Sequence, residues 1–288
     1  MRDSFMESLV EAANQNSDIV LLIGDLGYSV VEEFFDKFPD RSFNAGIAEQ
    51  NMMGMAAGLA SEGLHVFTYS IGNFPTFRCA EQIRNDVDYH NLKVTNVVVG
   101  GGLSYGSLGY SHHAIQDYAL MRIFPNMLIA APGDPHEVRS VMNFIHNYQG
   151  PSYLRLGKSG EKNIHNKEPV VSPGQWLKIV QGQDRIILTT GTTLDIGLNL
   201  LKSKYKGYGL YSLPLWSMKS KKYQLKQIKQ FSEIVTLEDH LEDGGFGSWL
   251  KESLGSYSNT KIESLFLDSK VCGEVGTKDA LMRLGGLL

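Results

Sequence analysis

One long apolar segment with a single ionisable side chain constrains the fold more than any other feature of the sequence. It runs from Phe43 to Gly63, and Glu49 is its only ionisable residue between Gly46 and Leu59. Apolar side chains recur in it at near-helical spacing, which predicts a helix: Ile47, Met52, Met55 and Leu59. In the first turn the helix dipole favours a negative charge, whereas burial opposes it. Such a carboxyl suits proton transfer or a hydrogen bond to a ligand nitrogen. The alternative is a structural glutamate whose oxygens bond to neighbouring groups.

Small residues form a second face of this predicted helix: Gly54, Ala57, Gly58 and Ser61. Each glycine inside a helix costs about 1 kcal/mol relative to alanine, so two of them call for a packing reason. We therefore expect another helix or another subunit to pack closely on this face.

Composition limits the possible classes of function. A chain of 288 residues, 42% hydrophobic and 20% charged, can bury a sizeable core and form two domains. The net charge is −4, and no Lys/Arg cluster is interleaved with aromatic residues, which argues against a nucleic-acid partner. Cys79 and Cys272 are isolated, so we expect neither a disulfide framework nor a thiolate metal site. The first residues read as an amphipathic helix rather than a signal sequence, and no apolar run would span a bilayer, so we expect a cytoplasmic protein without membrane contact.

Short apolar runs alternate with helical patterns along the whole chain. Strands are predicted at 19–23, 65–70, 94–99, 127–131, 152–156, 185–190, 208–213, 234–237 and 261–267. Helices are predicted at 75–90, 113–124, 134–148, 194–205, 224–231, 246–254 and 278–284. This alternation predicts an α/β fold of two doubly wound domains with mostly parallel sheets, whose ligands bind at the carboxyl ends of the strands. We expect a first domain over 1–157, an irregular linker over 158–183 and a second domain over 184–288.

The glycine-rich loop after the strand at 94–99 contains two short patterns. The run from Gly102 to Gly106 matches G-x-S-x-G, but the loop continues beyond it, whereas a hydrolase nucleophile elbow leads directly into a helix. His112 and His113 lack spaced partners for a metal site. A histidine on a loop beside a strand end suits a substrate contact or a proton shuttle, with an exposed polar loop residue as the alternative.

Taken together, several segments resemble the C-terminal part of the transketolase family of thiamine-diphosphate enzymes. Their order and spacing are similar to the separately encoded C-terminal subunit of split bacterial transketolases, over nearly the whole chain. The segments are Gly46 to Asn51, Phe74 to Arg78, Glu81 to Asn85, the glycine loop ending at His112, Gly150 to Gly157, Thr236 to His240 and Gly244 to Ser248.

The resemblance implies a pyrimidine-binding domain followed by the family's C-terminal domain. It implies that Glu49 bonds N1′ of the aminopyrimidine and promotes the imino tautomer that activates the thiazolium carbon. Phe74, with Phe77 as a second candidate, would stack on the pyrimidine, which requires a flat apolar partner. Arg78 would orient Glu49 or line the pocket.

The resemblance also implies a set of substrate contacts. His112 would hydrogen-bond the substrate oxygen during carbonyl addition. Arg155 or Lys158 would hold a phosphate or another anion on the sugar. Asp25 is a weaker candidate for the pocket.

Two departures from the family pattern concern the substrate. The family's glycine loop carries an acidic pair shortly before the histidine, whereas this chain has Ser107 and Leu108 there. Leucine removes a hydrogen-bond acceptor, so we expect a nonstandard sugar, with or without a phosphate. The family's phosphate-binding arginine is replaced by Lys158, which keeps the charge but loses the bidentate fork.

A third departure concerns the diphosphate. The family binds magnesium diphosphate through a GDG followed later by an asparagine, and Gly24-Asp25-Leu26 lacks the rest of this signature. We therefore expect Mg²⁺ to be bound mainly by an N-terminal partner subunit in a two-plus-two heterotetramer, and this chain to be inactive alone.

The expected activity is transfer of a two-carbon ketol unit between sugars. Alternatives within thiamine enzymes are a deoxyxylulose-phosphate-synthase-like carboligase and the beta subunit of a 2-oxoacid dehydrogenase. The alternative from another class is a noncatalytic α/β binding or regulatory module, against which the presence of both Glu49 and His112 argues.

Overall fold

Two β-sheets flanked by helices organise the chain. The computed structural model describes residues 1–257 and 259–288. Its strands are β1 (Ile19–Ile23), β2 (Ser42–Asn44), β3 (His65–Ile71), β4 (Val94–Val99), β5 (Leu128–Ala130), β6 (Ser152–Leu156), β7 (Leu177–Val180), β8 (Arg185–Thr189), β9 (Gly209–Ser212), β10 (Leu215–Trp216), β11 (Glu233–Leu241) and β12 (Lys261–Leu267). Its helices are α1 (Arg2–Gln15), α2 (Glu32–Lys37), α3 (Glu49–Ser61), α4 (Phe74–Phe77), α5 (Ala80–Gln82), α6 (Asp117–Met121), α7 (Pro135–Asn147), α8 (Leu194–Leu201), α9 (Gln224–Ile228), α10 (Phe246–Glu252) and α11 (Lys278–Leu284).

Both sheets are mostly parallel, which confirms the predicted fold class. Within the described residues the first sheet has seven strands in the order β10-β5-β6-β4-β3-β1-β2, and only β10 runs antiparallel to its neighbour. The second sheet has five strands in the order β12-β11-β8-β9-β7, with β7 antiparallel at its edge. Parallel strands covered by helices on both faces are typical of doubly wound folds.

The first sheet is buried between helices on both of its faces. All residues of β1 and of β4 are buried, as expected for parallel strands covered on both sides. On one face α1 packs against α7, and their apolar side chains join one core cluster with the strands. On the other face α3 contributes to a second core cluster, to which residues of the second sheet also belong.

The helix that begins at Glu49 has a different buried stripe from the predicted one. Ile47 lies before the helix and is 78% exposed, so its assignment to the apolar stripe was wrong. The buried face instead recurs at three- and four-residue spacing from the first helical residue: Glu49, Met52, Met53, Ala56, Ala57 and Ala60. A Cβ added at Gly54 or Gly58 would meet no heavy atom of the described chain within 4 Å, so the predicted small face is open at these glycines, whereas its Ala57 belongs to the buried face.

Three predicted segments need correction. The predicted helix at 75–90 is divided into α4, α5 and a π-helix at Ile83–Asp88. The predicted helix at 113–124 is reduced to α6, because Ala114 pairs with Gly102 before it begins. The segment 158–183 is not irregular throughout, because β7 pairs with β9 as an edge strand. The short elements α2, β2 and β10 were not predicted.

Strand β10 connects the two halves of the chain. It lies in the second half of the sequence but pairs with β5 of the first sheet. Its Trp216 is fully buried, with ring centroids 5.2 Å from both Tyr118 and Trp249. The indole N–H donates to Thr190 Oγ1 at 3.1 Å. Trp216 therefore packs residues from both halves into one core.

We predict that Trp216→Ala lowers the free energy of unfolding by about 3–5 kcal/mol, because it removes a large buried side chain and leaves a cavity. The matched control is Tyr89→Ala, at an aromatic side chain that is 79% exposed, which we expect to cost less than about 0.5 kcal/mol. Urea denaturation followed by circular dichroism measures both. Equal losses for the two variants would contradict the role given to Trp216.

Candidate active site

Candidate side chains from four segments meet at the carboxyl ends of the first sheet's strands. Glu49 follows β2, Phe74 and Arg78 follow β3, His112 follows β4, and Lys158 follows β6. The carboxyl ends of parallel strands lie at one edge of a sheet, where open α/β folds bind their ligands. The topology therefore gathers residues that are far apart in sequence.

Glu49 is the first residue of α3 and is only 3% exposed, which confirms its predicted burial. Its Oε2 accepts a hydrogen bond from Arg78 Nη1 at 2.9 Å. Its Oε1 is buried without a hydrogen-bond partner among the described residues. Leaving a buried acceptor unpaired costs roughly 1–3 kcal/mol, more when it is charged. One oxygen of the carboxylate is thus left without a hydrogen bond inside the described part of the chain.

Arg78 links Glu49 to the aromatic part of the site. Its guanidinium lies 4.4 Å from the centroid of the Phe74 ring while it donates to Glu49. The Phe74 ring in turn meets the His112 ring edge-on, with centroids 5.1 Å apart. Phe77 is 45% exposed at the end of α4. The structure thus brings Glu49, Arg78, Phe74 and His112 into one chain of contacts.

Asn73 holds the His112 loop against α4. Its Nδ2 donates to the carbonyl oxygens of Tyr110 and Ser111, at 3.3 and 3.2 Å. His112 Nδ1 lies 2.9 Å from Ser111 Oγ. Asn73 was not predicted as a site residue, although it directly precedes Phe74.

Burial favours the neutral form of two side chains, His112 and the Cys79 thiol next to Arg78. The pKa of His112 is lowered, first by burial and then by His113 and Arg78. The pKa of the buried Cys79 thiol is raised to about 12 by burial and by the negative charge of Glu49, against a lowering from Arg78. A neutral imidazole can donate or accept one hydrogen bond at its free nitrogen.

Lys158 and Tyr105 lie on the other side of His112. Lys158 is exposed, and its Nζ is 5.0 Å from the centroid of the Tyr105 ring. That ring is 6.3 Å from the His112 ring. Gly100, with φ +83°, allows this arrangement, since a Cβ there would lie 2.1 Å from a Tyr105 ring carbon. The Tyr105 ring thus contacts Lys158 and lies near His112.

Asp25 forms hydrogen bonds with Asn44, just before the helix that begins at Glu49. Its N–H donates to Asn44 Oδ1 at 3.1 Å, and Asn44 Nδ2 donates back to Asp25 Oδ1 at 2.9 Å. The same Asn44 Oδ1 accepts the N–H of Gly46. These bonds join the ends of β1 and β2 just before α3.

Arg155 does not reach this pocket, contrary to the expectation that it binds a substrate anion. It is 2% exposed, and its guanidinium donates to Asp117 at 2.7 Å and to Asp239 at 2.6 Å. Its position in β6 directs the side chain toward β11 of the second sheet, where Asp239 lies. The charges of Asp117 and Asp239 therefore occupy the guanidinium that was expected to bind the substrate.

Two kinds of feature are absent from residues 1–257 and 259–288. No group of three or more His, Cys, Asp or Glu side chains there could hold a metal ion. No helix in this part of the chain has both the length and the apolar character needed to cross a membrane.

Comparison with known proteins adds to the geometry. The family description "Transketolase, pyrimidine binding domain" matches residues 1–161, more than half of the chain. The chain belongs to the transketolase family. This confirms the resemblance carried by the Glu49 helix, the Phe74 segment and the His112 loop.

Relatives of this transketolase-family chain include separately encoded C-terminal subunits. A putative transketolase C-terminal section of Methanocaldococcus jannaschii is 35% identical, over 100% of this chain and 92% of the relative. An apulose-4-phosphate transketolase subunit of Actinobacillus succinogenes is 32% identical, over 88% of this chain and 82% of the relative. A solved structure described as a split gene transketolase, inactive beta4 tetramer, matches with a TM-score of 0.85 and 30% identity, over 99% of this chain and 93% of that one.

We predict that Gly100→Ala destabilises this transketolase-family chain by about 1–3 kcal/mol more than Gly160→Ala, because its Cβ would overlap Tyr105. Gly160 is the matched control, since its φ of +84° is nearly the same but a Cβ there would meet nothing within 4 Å. Chemical denaturation of both variants measures the difference. Equal costs would show that Tyr105 moves freely and does not depend on Gly100.

Proposed function

We propose that this chain supplies the pyrimidine-binding half of a thiamine-diphosphate site in a two-subunit transketolase, which transfers a two-carbon ketol unit between sugars. The observation that carries the proposal is the buried carboxylate of Glu49, with one oxygen bonded to Arg78 and the other without a partner in the part of the chain that the structure describes. Membership of the transketolase family and the likeness to separately encoded C-terminal sections support it.

The residues of the site fit the aminopyrimidine of this cofactor. The free Oε1 of Glu49 would accept a hydrogen bond from a protonated ring nitrogen, and the Phe74 ring offers a flat apolar surface. Arg78 would hold the second carboxylate oxygen and fix the direction of the first. When bound, thiamine diphosphate supplies a thiazolium carbon nucleophile for addition to a ketose carbonyl. Glu49 is then the group that holds a proton at the pyrimidine nitrogen.

His112 is the proposed contact to the reacting part of the sugar. Its lowered pKa favours the neutral imidazole, which can hydrogen-bond a substrate oxygen without a net charge. The hydrogen bonds of Asn73 to the preceding carbonyls hold the loop in place. An oriented donor at the site of developing charge stabilises the transition state.

A nonstandard sugar fits the far end of the pocket. Leu108, 53% exposed, stands where the family has an acidic residue, so this wall lacks a carboxylate acceptor for a sugar hydroxyl. Lys158 provides a positive charge for an anionic group on the substrate. The relative named for apulose 4-phosphate supports an unusual sugar in this branch of the family.

A partner chain would complete the site. The chain lacks the family's diphosphate signature, so we infer that the diphosphate and most of the Mg²⁺ coordination belong to an N-terminal subunit. Tyr28, Ile47 and Phe77 are 77%, 78% and 45% exposed in segments that flank Glu49, and burying them would favour association. The open small face of α3 offers a further contact, consistent with a two-plus-two heterotetramer. A cytoplasmic location stays a prediction.

We predict that Glu49→Gln lowers ketol transfer by the assembled complex at least about 100-fold, because a neutral amide cannot stabilise the protonated pyrimidine nitrogen. The matched control is Glu62→Gln, at an exposed carboxylate that follows the same helix, and we expect it to retain full activity. A coupled assay of cofactor-dependent ketol transfer measures both. Full activity of Glu49→Gln would refute the assignment, and a wild-type complex that transfers no ketol unit from any sugar would refute the proposed function itself.

We predict that Leu108→Asp raises kcat/KM for ordinary pentulose phosphates about tenfold or more, because it restores an acceptor for a substrate hydroxyl. Leu108→Ala is the control, since it removes the apolar side chain without adding an acceptor. Kinetics over a panel of ketose phosphates and unphosphorylated ketoses measure the change. Wild-type turnover of pentulose phosphates equal to that of the Asp variant would contradict the role of Leu108.

A further inference from the structure

Three buried charged side chains join the two sheets next to the candidate active site. Arg155 donates through Nε to Asp117 Oδ2 at 2.7 Å and through Nη1 to Asp239 Oδ1 at 2.6 Å. All three residues are at most 2% exposed. Burying charges is unfavourable unless geometry and further hydrogen bonds compensate for it, so stability alone is a weak reason for such a network.

The first residues of the glycine-rich loop lie directly against this network. A Cβ at Gly101 would lie 2.8 Å from the guanidinium carbon of Arg155. A Cβ at Gly102 would lie 2.2 Å from Asp239 Oδ2. Because these residues have no side chain, the backbone can run directly against the ion pair.

The loop also ends on the network. Gly102 and Ala114 exchange two backbone hydrogen bonds, of 2.9 and 3.0 Å. The carbonyl oxygen of Ala114 accepts a further bond from Arg155 Nη2 at 2.8 Å. The segment 102–114 is therefore closed at its base by Arg155, and His112 lies two residues from that base.

The network is also connected to α4, the helix that begins at Phe74. Asp117 Oδ2 also accepts a hydrogen bond from the Tyr153 hydroxyl at 2.8 Å. That hydroxyl lies 3.2 Å from Thr76 Oγ1, within α4, which begins at Phe74. The same arginine is thus connected to the segments that carry His112 and Phe74.

We propose that Asp117, Arg155 and Asp239 are positioning residues that hold the His112 loop in register with the Phe74 helix. The second sheet contributes through Asp239, whose Oδ2 also accepts a hydrogen bond from Thr192 at 3.0 Å. This positioning role rests on the proposed function. It gives the second domain a part in catalysis without contact to substrate or cofactor.

The test compares Asp239→Asn with Glu238→Gln in the complex with the N-terminal subunit. Glu238 is the matched control, because it is equally buried in β11 but accepts from Phe246 and Gly247 N–H groups of α10, within its own domain. We expect Asp239→Asn to lower kcat about 10- to 100-fold, since small misplacements of a catalytic group have effects of this size. Cofactor Kd should change less than twofold, and amide hydrogen exchange in 102–114 should accelerate.

Several results would overturn the proposal. One is a folded Asp239→Asn complex with kcat and amide exchange in 102–114 unchanged. Another is an equal fall in kcat for Glu238→Gln, which would show a general effect of buried carboxylates. If Asp239→Asn does not fold, Thr192→Val replaces it as the test, because it removes the hydrogen bond to Asp239. Faster amide exchange in 102–114 would support the positioning role, and unchanged exchange would overturn it. Hydrogen exchange needs no substrate, so its outcome is independent of whether the wild-type complex transfers ketol units.

Discussion

The half-satisfied carboxylate of Glu49 is the constraint on which the rest of the site depends. Helix α3 buries this side chain at its first residue, and Arg78 bonds only one of its two oxygens. A buried carboxylate with an unpaired oxygen is costly for an isolated chain, but it becomes favourable when a ligand supplies a donor. The proposed shared site accounts for this cost, because a donor from the cofactor would bond to the free oxygen.

Charge is distributed in the molecule according to two separate tasks. Glu49 and Arg78 form the pair that faces the pocket, with Arg78 half exposed and able to adjust to a ligand. A fully buried network of ion pairs lies at the base of the His112 loop. Its side chains are not exposed to a ligand: Asp117, Arg155 and Asp239. The first set suits binding chemistry. The second set ties the base of the His112 loop to both sheets, although Asp117 Oδ1 has no hydrogen-bond partner among the described residues.

Sequence reasoning predicted the elements that depend on local pattern. Strands β1, β4, β6 and β12 and helix α11 have the predicted bounds. Strand β1 is a continuous apolar run, and the other three strands are rich in β-branched, aromatic and leucine residues. The two-residue strand β10 has no local signal and exists because it pairs with β5. The edge strand β7 was missed for the same reason: pairing with β9, rather than its own composition, defines it.

The candidate site was predicted in part. Glu49 was identified from its apolar surroundings, and Phe74, Arg78 and His112 from the family pattern. Arg155 was assigned to the substrate because its partners, Asp117 and Asp239, lie 38 and 84 residues away in sequence and only the fold brings them together. Asn73 was not predicted because it donates to backbone carbonyl oxygens, which every residue type carries.

A cofactor titration tests the account most directly. Thiamine diphosphate with Mg²⁺ would be titrated by calorimetry into this chain alone, the N-terminal subunit alone and their equimolar mixture. The account predicts tight binding only in the mixture, with one cofactor for each pair of subunits, because each chain holds half of the site. Tight binding by this chain alone, or a mixture that binds no more tightly than its separate components, would contradict a shared site built around Glu49.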